Sequence, residues 1–327
     1  MVIIERAPAL IAAKKVALIT LLVGLLAGCS TAPAPPEAAS VPVPHRLGTA
    51  FAPPHPARVV ALGPADLDAA LALGVRPVGV GLPLSAEIPP WAQRPDWHPV
   101  TLRPTDGGYS TEAIAELHPD LILAGSDYYI DREYPELSRL APTTAFEHAP
   151  DEEPWQVTTR QVGRALGKAA EADRLVTGTE DRIRTESAAH PQLAGAEFAV
   201  TLAHGPGGLG VIRSSRDVTV RTLTEFGLSL SPAAASLPGK GFSAQVSAEN
   251  LAQVDTDVLI TAYPNPALRP ELESAPVFRN LRAVRDGGYL PVDGPDWPAL
   301  REPGVLALPY LIDHVLPGLA EAAAHRS

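Results

Sequence analysis

The chain has 327 residues, of which 26 are Lys or Arg and 37 are Asp or Glu, so its formal net charge at pH 7 is −11. This acidic balance argues against nucleic acid as a partner, because phosphate binding needs a basic face. The chain contains one cysteine, Cys29, which excludes an intrachain disulfide framework and a multi-cysteine metal site.

The first 28 residues have the features of a secretory signal. Three basic residues precede an apolar segment at 16–27, and small residues lead to Cys29. As a helix this segment would rise about 18 Å, too short for a bilayer core of roughly 30 Å. Its end, Leu26-Ala27-Gly28-Cys29, resembles the lipobox of bacterial lipoproteins. The resemblance implies cleavage before Cys29, lipid on that residue, and anchoring on the extracytoplasmic face of the cell membrane. The alternative is a buried thiol in a first helix.

Residues 29–57 are crowded with Pro and Ala, as in Val41-Pro42-Val43-Pro44 and Pro53-Pro54-His55-Pro56. This composition disfavours a helix and predicts an extended tether with polyproline character. About 270 residues follow, which is enough for two lobes of ordinary domain size.

The remainder alternates between apolar strands and amphipathic helices. In a first lobe, residues 58–153, strands are predicted at 58–62, 77–80, 121–124 and 143–146. In a second lobe, residues 191–327, they are predicted at 198–202, 258–261 and 289–292. Continuous apolar strands with intervening helices indicate parallel sheets covered on both faces. The predicted fold class is therefore α/β, with two parallel-sheet lobes.

A helical connector is predicted between the lobes, at residues 154–190. One helix runs from Trp155 to Leu166, Gly167 marks a break, and a second helix runs from Ala169 to Ala189. The second helix would be about 31 Å long, which is enough to bridge two lobes.

A segment of the first lobe recurs in the second lobe without gaps. Residues 110–123 align on residues 247–260, so that a Ser, a Glu, core apolar positions and an Asp recur at one constant offset. Each copy predicts an N-cap Ser, a short helix, a turn with an Asp, and a buried strand. Two copies far apart in the chain indicate two related lobes.

These segments, together with Arg58-Val59-Val60-Ala61-Leu62 and Phe242-Ser243-Ala244-Gln245, resemble the substrate-binding proteins of iron–siderophore ABC importers. The resemblance implies the class III periplasmic-binding-protein fold, in which one long helix joins two α/β lobes. It also implies a monomeric carrier, not an enzyme, that delivers a ferric siderophore to permease subunits. Vitamin B12 and haem carriers share this fold, so cobalamin and haem remain alternative ligands.

In that family, one glutamate on each lobe docks onto arginines of the permease. Glu112 and Glu249 occupy the matching positions of the two repeat copies. The alternative is that each acid is present because it is favourable in the first turn of a helix, at roughly 0.3–1 kcal/mol.

The ligand is expected beyond the carboxyl ends of the strands, where open α/β sheets bind their ligands. A chelated iron ion needs no protein ligand or cofactor, but it does need aromatic walls and donors to the chelating oxygens. For each candidate, packing in a core or exposure at the surface is the alternative. The candidate ligand-binding residues are Tyr109, Tyr128, Tyr129, Arg213, Arg216, Tyr263 and Trp297.

Two rival functions have weaker support. The nine histidines are scattered, without the close pairs expected of a carrier that binds a bare metal ion. Gly241-Phe242-Ser243 begins like the nucleophile elbow of a lipid-anchored hydrolase, but the final glycine and the preceding apolar strand are missing.

Overall fold

The structure is a computed structural model that describes residues 39–85, 87–105, 107–204, 208–239 and 241–326. The signal segment and Cys29 lie outside these residues, so their predicted roles stay predictions. Among the helices that the structure describes, none is both long and apolar enough to cross a membrane.

The described chain begins with a β-hairpin. Strands β1 (Val41–His45) and β2 (Gly48–Ala52) pair in antiparallel register, and Val43 and Ala50 are buried in the first lobe. The predicted tether over residues 29–57 is therefore wrong for this segment. The prolines of β1 alternate with inward-facing residues and are exposed, as is tolerated in an edge strand.

The first lobe contains a four-stranded parallel sheet within the described residues, in the order β5–β4–β3–β6. The segment predicted as a strand at 143–146 makes a single bridge from Thr143 to Ile122 instead. The strands are β3 (Val59–Ala61), β4 (Gly79–Gly81), β5 (Val100–Leu102) and β6 (Leu121–Leu123). The helices are α1 (Pro64–Ala72), α2 (Thr111–Glu116), α3 (Ile130–Leu140) and a short 3-10 helix, Pro90–Ala92.

Two helices follow the first lobe, α4 (Trp155–Ala165) and α5 (Ala169–Ala189). Gly167 lies between them with a φ of 68°, a left-handed conformation that ends a helix. Val162 of α4 packs in a core cluster of the first lobe, whereas Val176 and Ile183 of α5 pack in the core of the second. The two helices therefore connect the hydrophobic cores of both lobes.

The second lobe has a mixed sheet in the order β10–β8–β7–β11–β12, with β9 paired to β7. Strand β8 runs antiparallel to both neighbours, and the other pairs are parallel. The prediction of a parallel sheet thus holds for β7, β11 and β12 but misses the antiparallel edge. The strands are β7 (Glu197–Ala203), β8 (Gly208–Ile212), β9 (Ser229–Leu230), β10 (Ser243–Ser247), β11 (Val258–Ala262) and β12 (Tyr289–Val292).

Short helices cover the second sheet and its core. They are α6 (Val218–Glu225), α7 (Pro232–Ala235), α8 (Leu268–Ser274), α9 (Pro276–Arg279), α10 (Arg282–Asp286), α11 (Asp296–Arg301), α12 (Ala307–His314) and α13 (Leu316–Ala324). Two 3-10 helices, Pro191–Leu193 and Ala248–Val254, accompany them.

A buried carboxylate of the first lobe holds the start of α12. Asp68 of α1 accepts hydrogen bonds from the backbone N–H groups of Leu306 at 3.2 Å and Ala307 at 2.7 Å. The indole of Trp91 donates a third hydrogen bond to Asp68 at 3.1 Å. The end of the chain is therefore fixed to the first lobe at a point separate from the connector helices.

Candidate ligand-binding site

A cavity of about 570 Å³ lies between the lobes, next to the carboxyl ends of parallel strands of both sheets. Its volume is in the range of small-molecule sites, which is about 300–1,000 Å³. The first lobe contributes Leu84 and Tyr128, and most other residues come from the second lobe. The lining consists of Leu84, Tyr128, Asp151, Leu202, His204, Gly210, Ile212, Phe242, Ser243, Tyr263, Pro264, Pro266, Gly294, Trp297, Pro298 and Arg301.

Four aromatic side chains line this cavity: Tyr128, Phe242, Tyr263 and Trp297. Tyr263 and Trp297 are buried in the second lobe, whereas Phe242 is 37 % exposed. The hydroxyl of Tyr263 is hydrogen-bonded to the hydroxyl of Tyr289 at 2.8 Å, and burial raises the pKa of Tyr263 to about 12. These neutral rings offer large apolar faces to an organic ligand.

Arg301 is the cationic side chain of the cavity. It ends α11, one helical turn after Trp297, and its guanidinium lies 5.6 Å from the ring centroid of Tyr128 and 5.0 Å from that of Phe242. Such distances allow a cation–π interaction. The same guanidinium is ion-paired with Asp151, and its Nη1 lies 3.4 Å from Oδ2 of Asp217.

The first lobe positions Tyr128 through a buried aspartate of α1. The carboxylate of Asp66 accepts hydrogen bonds from the backbone N–H groups of Gly125 at 3.1 Å and Ser126 at 2.7 Å, and from the hydroxyl of Ser126 at 2.8 Å. Burial raises the pKa of Asp66 to about 6. This bonding fixes the loop after β6, and Tyr128 follows directly in that loop.

Glu302, the residue after Arg301, is a second buried acid next to the cavity. Burial raises its pKa to about 8, against the opposing effect of the Arg301 guanidinium. Its Oε1 atom is buried and has no hydrogen-bond partner among the described residues. Burial also raises the pKa of Asp68 to about 7. The charge of Asp68 repels that of Glu302, which raises the pKa of Glu302 further. Glu302 is therefore held mostly protonated at neutral pH.

The structure brings three of the seven predicted ligand-binding residues to the cavity: Tyr128, Tyr263 and Trp297. Tyr109 is instead 6 % exposed in the core of the first lobe, where its hydroxyl donates to the carbonyl of Leu62 at 3.2 Å. Tyr129 packs edge-on against Tyr109, with ring centroids 6.1 Å apart. Consecutive Tyr128 and Tyr129 thus separate into one cavity residue and one core residue.

The two predicted arginines also lie outside the cavity lining. Arg213 donates from Nη1 to the carbonyl of Gly239 at 3.0 Å, which fixes the loop around it. Arg216 is 75 % exposed and ion-paired with Glu152 at 3.2 Å. Arg301, the arginine that does line the cavity, is far away from both in sequence.

Sequence reasoning missed Phe242, Asp151 and Arg301 as cavity residues. One signal was present for Arg301, because it follows the predicted Trp297 at i+4 and so lies on the same face of a helix. Asp151 is 150 residues away from Arg301, and nothing in the local pattern connects them.

Glu112 and Glu249 are both exposed, each in the first turn of a short helix. The hydroxyl of Ser110 donates to Glu112 at 2.9 Å, and hydrogen bonds from its own backbone N–H and from Ser110 lower the pKa of Glu112. Both carboxylates are therefore accessible to a partner.

Across the part of the chain that the structure describes, no three His, Cys, Asp or Glu side chains are grouped so that they could hold a metal ion. The buried acids near the cavity are engaged with backbone N–H groups or with Arg301.

The chain is similar to known binding proteins over most of its length. It is 26 % identical over 289 residues to the probable siderophore-binding lipoprotein YfiY of Bacillus subtilis, covering 84 % of this chain and 86 % of that protein. It is 25 % identical over 284 residues to the achromobactin-binding periplasmic protein of Dickeya dadantii, covering 80 % and 85 % of the two chains.

Solved structures are similar as well. The iron-uptake ABC transporter substrate-binding protein PiaA of Streptococcus pneumoniae, in complex with ferrichrome, matches with a TM-score of 0.74 and 26 % identity over 88 % of this chain and 100 % of that chain. A periplasmic solute-binding protein of Mycobacterium smegmatis matches with a TM-score of 0.76 and 29 % identity over 87 % and 99 %. Residues 59–288 match the family described as periplasmic binding protein. This match covers more than half of the sequence, and the chain belongs to the periplasmic binding protein family.

Proposed function

We propose that this chain is an extracytoplasmic binding protein that captures a ferric siderophore in the cavity between its lobes and delivers it to an ABC importer. The observation that carries the proposal is the cavity of about 570 Å³, with its four aromatic walls and buried Arg301. The names of the relatives, which include siderophore-binding and iron-uptake proteins, support the same ligand class.

The chemistry of the lining suits a metal that arrives already chelated. A hexadentate siderophore occupies every coordination position of the iron, so the protein supplies contacts to the organic shell rather than metal ligands. Tyr128, Phe242 and Trp297 provide apolar faces for that shell. The guanidinium of Arg301 provides N–H donors for chelating oxygen atoms. The chain acts as a carrier that releases its ligand unchanged, not as an enzyme.

Quenching of tryptophan fluorescence tests this function directly. Trp297 lines the cavity, so a coloured ferric chelate bound there should quench its emission in a saturable way. The titration is run with a panel of ferric siderophores. The same siderophores without iron are the control, and haem and cobalamin are titrated as alternative ligands. Saturable quenching by haem or cobalamin, with none by any ferric siderophore, would replace the proposed ligand class.

Two tryptophan variants make the signal specific to the cavity. In the Trp297→Phe variant we expect most of the quenching to be lost. In the matched Trp97→Phe variant we expect it to persist, because Trp97 is 9 % exposed and packs in a first-lobe core, where its indole donates to the carbonyl of Pro77 at 2.9 Å. Equal loss in both variants would contradict binding at this cavity.

Docking onto the permease is proposed for Glu112 and Glu249. They are exposed, they occupy the same position in the two repeat copies, and each lies on a different lobe. Two contacts far apart would orient the cavity over the entrance of the permease, and linkage makes the second contact effectively intramolecular. The carrier needs no second copy of itself for this arrangement.

Lipid on Cys29 is proposed as the membrane anchor. The support is the lipobox-like run that ends at Cys29 and the name of the lipoprotein relative. Because the thiol carries the thioether lipid, a Cys29→Ser variant should remain an uncleaved precursor that takes up no labelled fatty acid. Equal labelling of the variant and the parent chain would contradict the anchor.

A further inference from the structure

The charges that surround the cavity are compensated before any ligand arrives. Among the described lining residues, Arg301 is the one arginine or lysine, and its side chain is 7 % exposed. It is ion-paired with Asp151, which is itself a lining residue and is 22 % exposed. On its other side, Nη1 lies 3.4 Å from the fully buried carboxylate of Asp217. One cation thus faces two acids.

The arginines next to the lining also have partners within the protein. Arg213 follows the lining residue Ile212, and its Nη1 is held by the carbonyl of Gly239 at 3.0 Å. Arg216 is ion-paired with Glu152 at 3.2 Å. Arg269 is ion-paired with Glu273 at 2.8 Å and with Asp293 at 3.3 Å, beside the lining residue Gly294. The charges of Arg216 and Arg269 are therefore compensated by acids, and Arg213, whose partner is an uncharged carbonyl, lies outside the described lining.

The charge of a ferric siderophore depends on its chelating groups. Three hydroxamates carry one negative charge each and neutralise Fe³⁺, so their complex has no net charge. Three catecholates carry two charges each, so their complex has a net charge of −3, and hydroxycarboxylate complexes are also anionic. An anionic complex in this cavity would meet the carboxylate of Asp151 with no spare arginine or lysine among the described lining residues to offset the repulsion.

We infer that the cavity selects ferric chelates without net negative charge, of the tris-hydroxamate class, over tri-anionic tris-catecholate and anionic hydroxycarboxylate complexes. The inference rests on the proposed capture of ferric siderophores and specifies their class. An uncharged complex also costs less to transfer from water to the aromatic walls than a tri-anion does. The charge of Arg301 is already matched, because its Nη2 group is paired with Asp151 and its buried Nη1 group lies against Asp217.

The test compares three chelates by tryptophan quenching at pH 7 and low ionic strength: a ferric tris-hydroxamate, a ferric tris-catecholate and a ferric hydroxycarboxylate. We expect the tris-hydroxamate to bind at least about 100-fold more tightly than the tri-anion, which corresponds to about 2.7 kcal/mol. Added salt should narrow the gap, because it screens the repulsion that the tri-anion experiences. Tighter or equal binding of either anionic complex overturns the inference and leaves siderophore capture standing. Absence of quenching by all three overturns the proposed function as well.

A single substitution tests whether Asp151 causes the selectivity. Asp151 has a φ of 60°, and Asn tolerates this left-handed conformation, so Asp151→Asn removes the charge without straining the backbone. We expect the affinity ratio between the neutral and the tri-anionic chelate to fall by about tenfold, since the carboxylate that repels the anion at the cavity wall is then neutral. The control is Asp173→Asn on α5, an exposed acid paired with Arg160 at 3.0 Å, which should leave the ratio unchanged. An unchanged ratio in Asp151→Asn overturns the inference.

Discussion

The two copies of the internal repeat agree at their strands. In the first lobe, Asp120 accepts hydrogen bonds from the backbone N–H groups of Ala57 at 2.7 Å and Arg58 at 2.9 Å, just before β3. In the second lobe, Asp257 accepts one from the N–H of Glu197 at 3.1 Å, at the start of β7. Asp120 precedes β6, which pairs in parallel with β3, and Asp257 precedes β11, which pairs in parallel with β7. The repeated aspartate therefore has the same structural role in both lobes.

The two copies differ at their helices. Ser110 accepts a hydrogen bond from the backbone N–H of Ala113 at 3.2 Å and caps an α-helix. Ser247 makes no such bond to the backbone; instead it accepts one from the side chain of Asn250 at 2.9 Å, and a 3-10 helix follows. A strand in the centre of a sheet is held by neighbours on both sides, whereas a short surface helix depends on its own cap. Sequence similarity between the copies thus predicts the strands better than the type of helix.

The lobes also differ in their buried acids. Burial raises the pKa of four carboxyl groups in the first lobe, Asp66, Asp68, Asp127 and Glu133, and of two in the second, Asp217 and Glu302. Most aromatic walls of the cavity, by contrast, belong to the second lobe. The first lobe therefore contributes buried carboxylates that hold loops, and the second lobe contributes most of the surface that faces the ligand.

The largest expected effect is on uptake, and it concerns Glu112 and Glu249, the exposed glutamates that the two repeat copies share. In a Glu112→Ala/Glu249→Ala double variant we expect uptake of the iron chelate and stimulation of the permease ATPase to fall by more than about tenfold, while chelate affinity stays unchanged. Either single variant should retain part of the activity, because a surface ion pair is worth about 0–1 kcal/mol. Uptake of radioactive iron into cells and ATPase assays in proteoliposomes measure the two effects.

The matched control for this double variant is Glu116→Ala/Glu271→Ala. These glutamates are also exposed, one on each lobe, so the change in net charge is the same. If the control reduces uptake as much as the Glu112/Glu249 pair does, overall charge and not docking explains the effect. Normal uptake by a folded Glu112/Glu249 variant would leave these acids as helix-stabilising residues only.

The next effect concerns the protonated acid between the lobes. Burial raises the pKa of Glu302 from 4.5 to about 8, so the folded chain holds a proton that the unfolded chain has released in this range. Because the folded state binds more protons, the free energy of unfolding should fall as the pH rises from about 5 to 8, by roughly 1 kcal/mol per pH unit. Urea unfolding of Glu302→Gln, which mimics the protonated form, should show a flatter profile over the same range.

The exposed Glu116→Gln variant is the control for this pH dependence and should follow the parent profile. Part of the pH dependence should remain in the Glu302→Gln variant, because burial raises the pKa of Asp66 to about 6 and that of Asp68 to about 7. An unchanged profile in Glu302→Gln would show that Glu302 is ionised in the folded chain and that its contact with Arg301 outweighs its burial.

A smaller effect separates the two repeated aspartates. Asp120→Ala leaves two backbone N–H groups without an acceptor, and we expect a loss of about 2 kcal/mol in the free energy of unfolding. Asp257→Ala leaves one such group and breaks an ion pair with Arg282 that is half-exposed, so about 1 kcal/mol is expected. Urea unfolding of both variants gives the comparison, and a greater loss in Asp257→Ala would reverse the ranking of the two anchors.

Much of the fold could be predicted from the sequence, because its signals are local. The connector helices occupy the predicted positions, since the apolar stripe and Gly167 define them within a few residues. The hairpin at β1 and β2 was missed because proline content suggested a tether, although every second residue faces inward. The antiparallel edge of the second sheet was missed because β8 is glycine-rich and gives a weak strand pattern.

The cavity was only partly predictable, because its key contacts are not local. Tyr128, Tyr263 and Trp297 follow predicted strands, and the rule that ligands bind at the carboxyl ends of strands locates them. The same rule could not separate Tyr128 from Tyr129, because side-chain direction in a loop depends on tertiary packing. It also could not pair Arg301 with Asp151, which only the folded chain brings together.

The smallest expected effect is also the most direct test of how the repeat copies differ. Ser110→Ala removes the hydroxyl that accepts from the N–H of Ala113, so we expect a loss of about 1 kcal/mol, or about 2–4 °C in the unfolding midpoint. Ser247→Ala removes a hydroxyl that bonds only to the exposed side chain of Asn250 and caps no backbone group, so the midpoint should change by less than about 1 °C. Scanning calorimetry of the two variants measures both values. Equal losses would mean that the 3-10 helix Ala248–Val254 depends on its serine as much as α2 does, and the two copies would then be alike in their helices as well as in their strands.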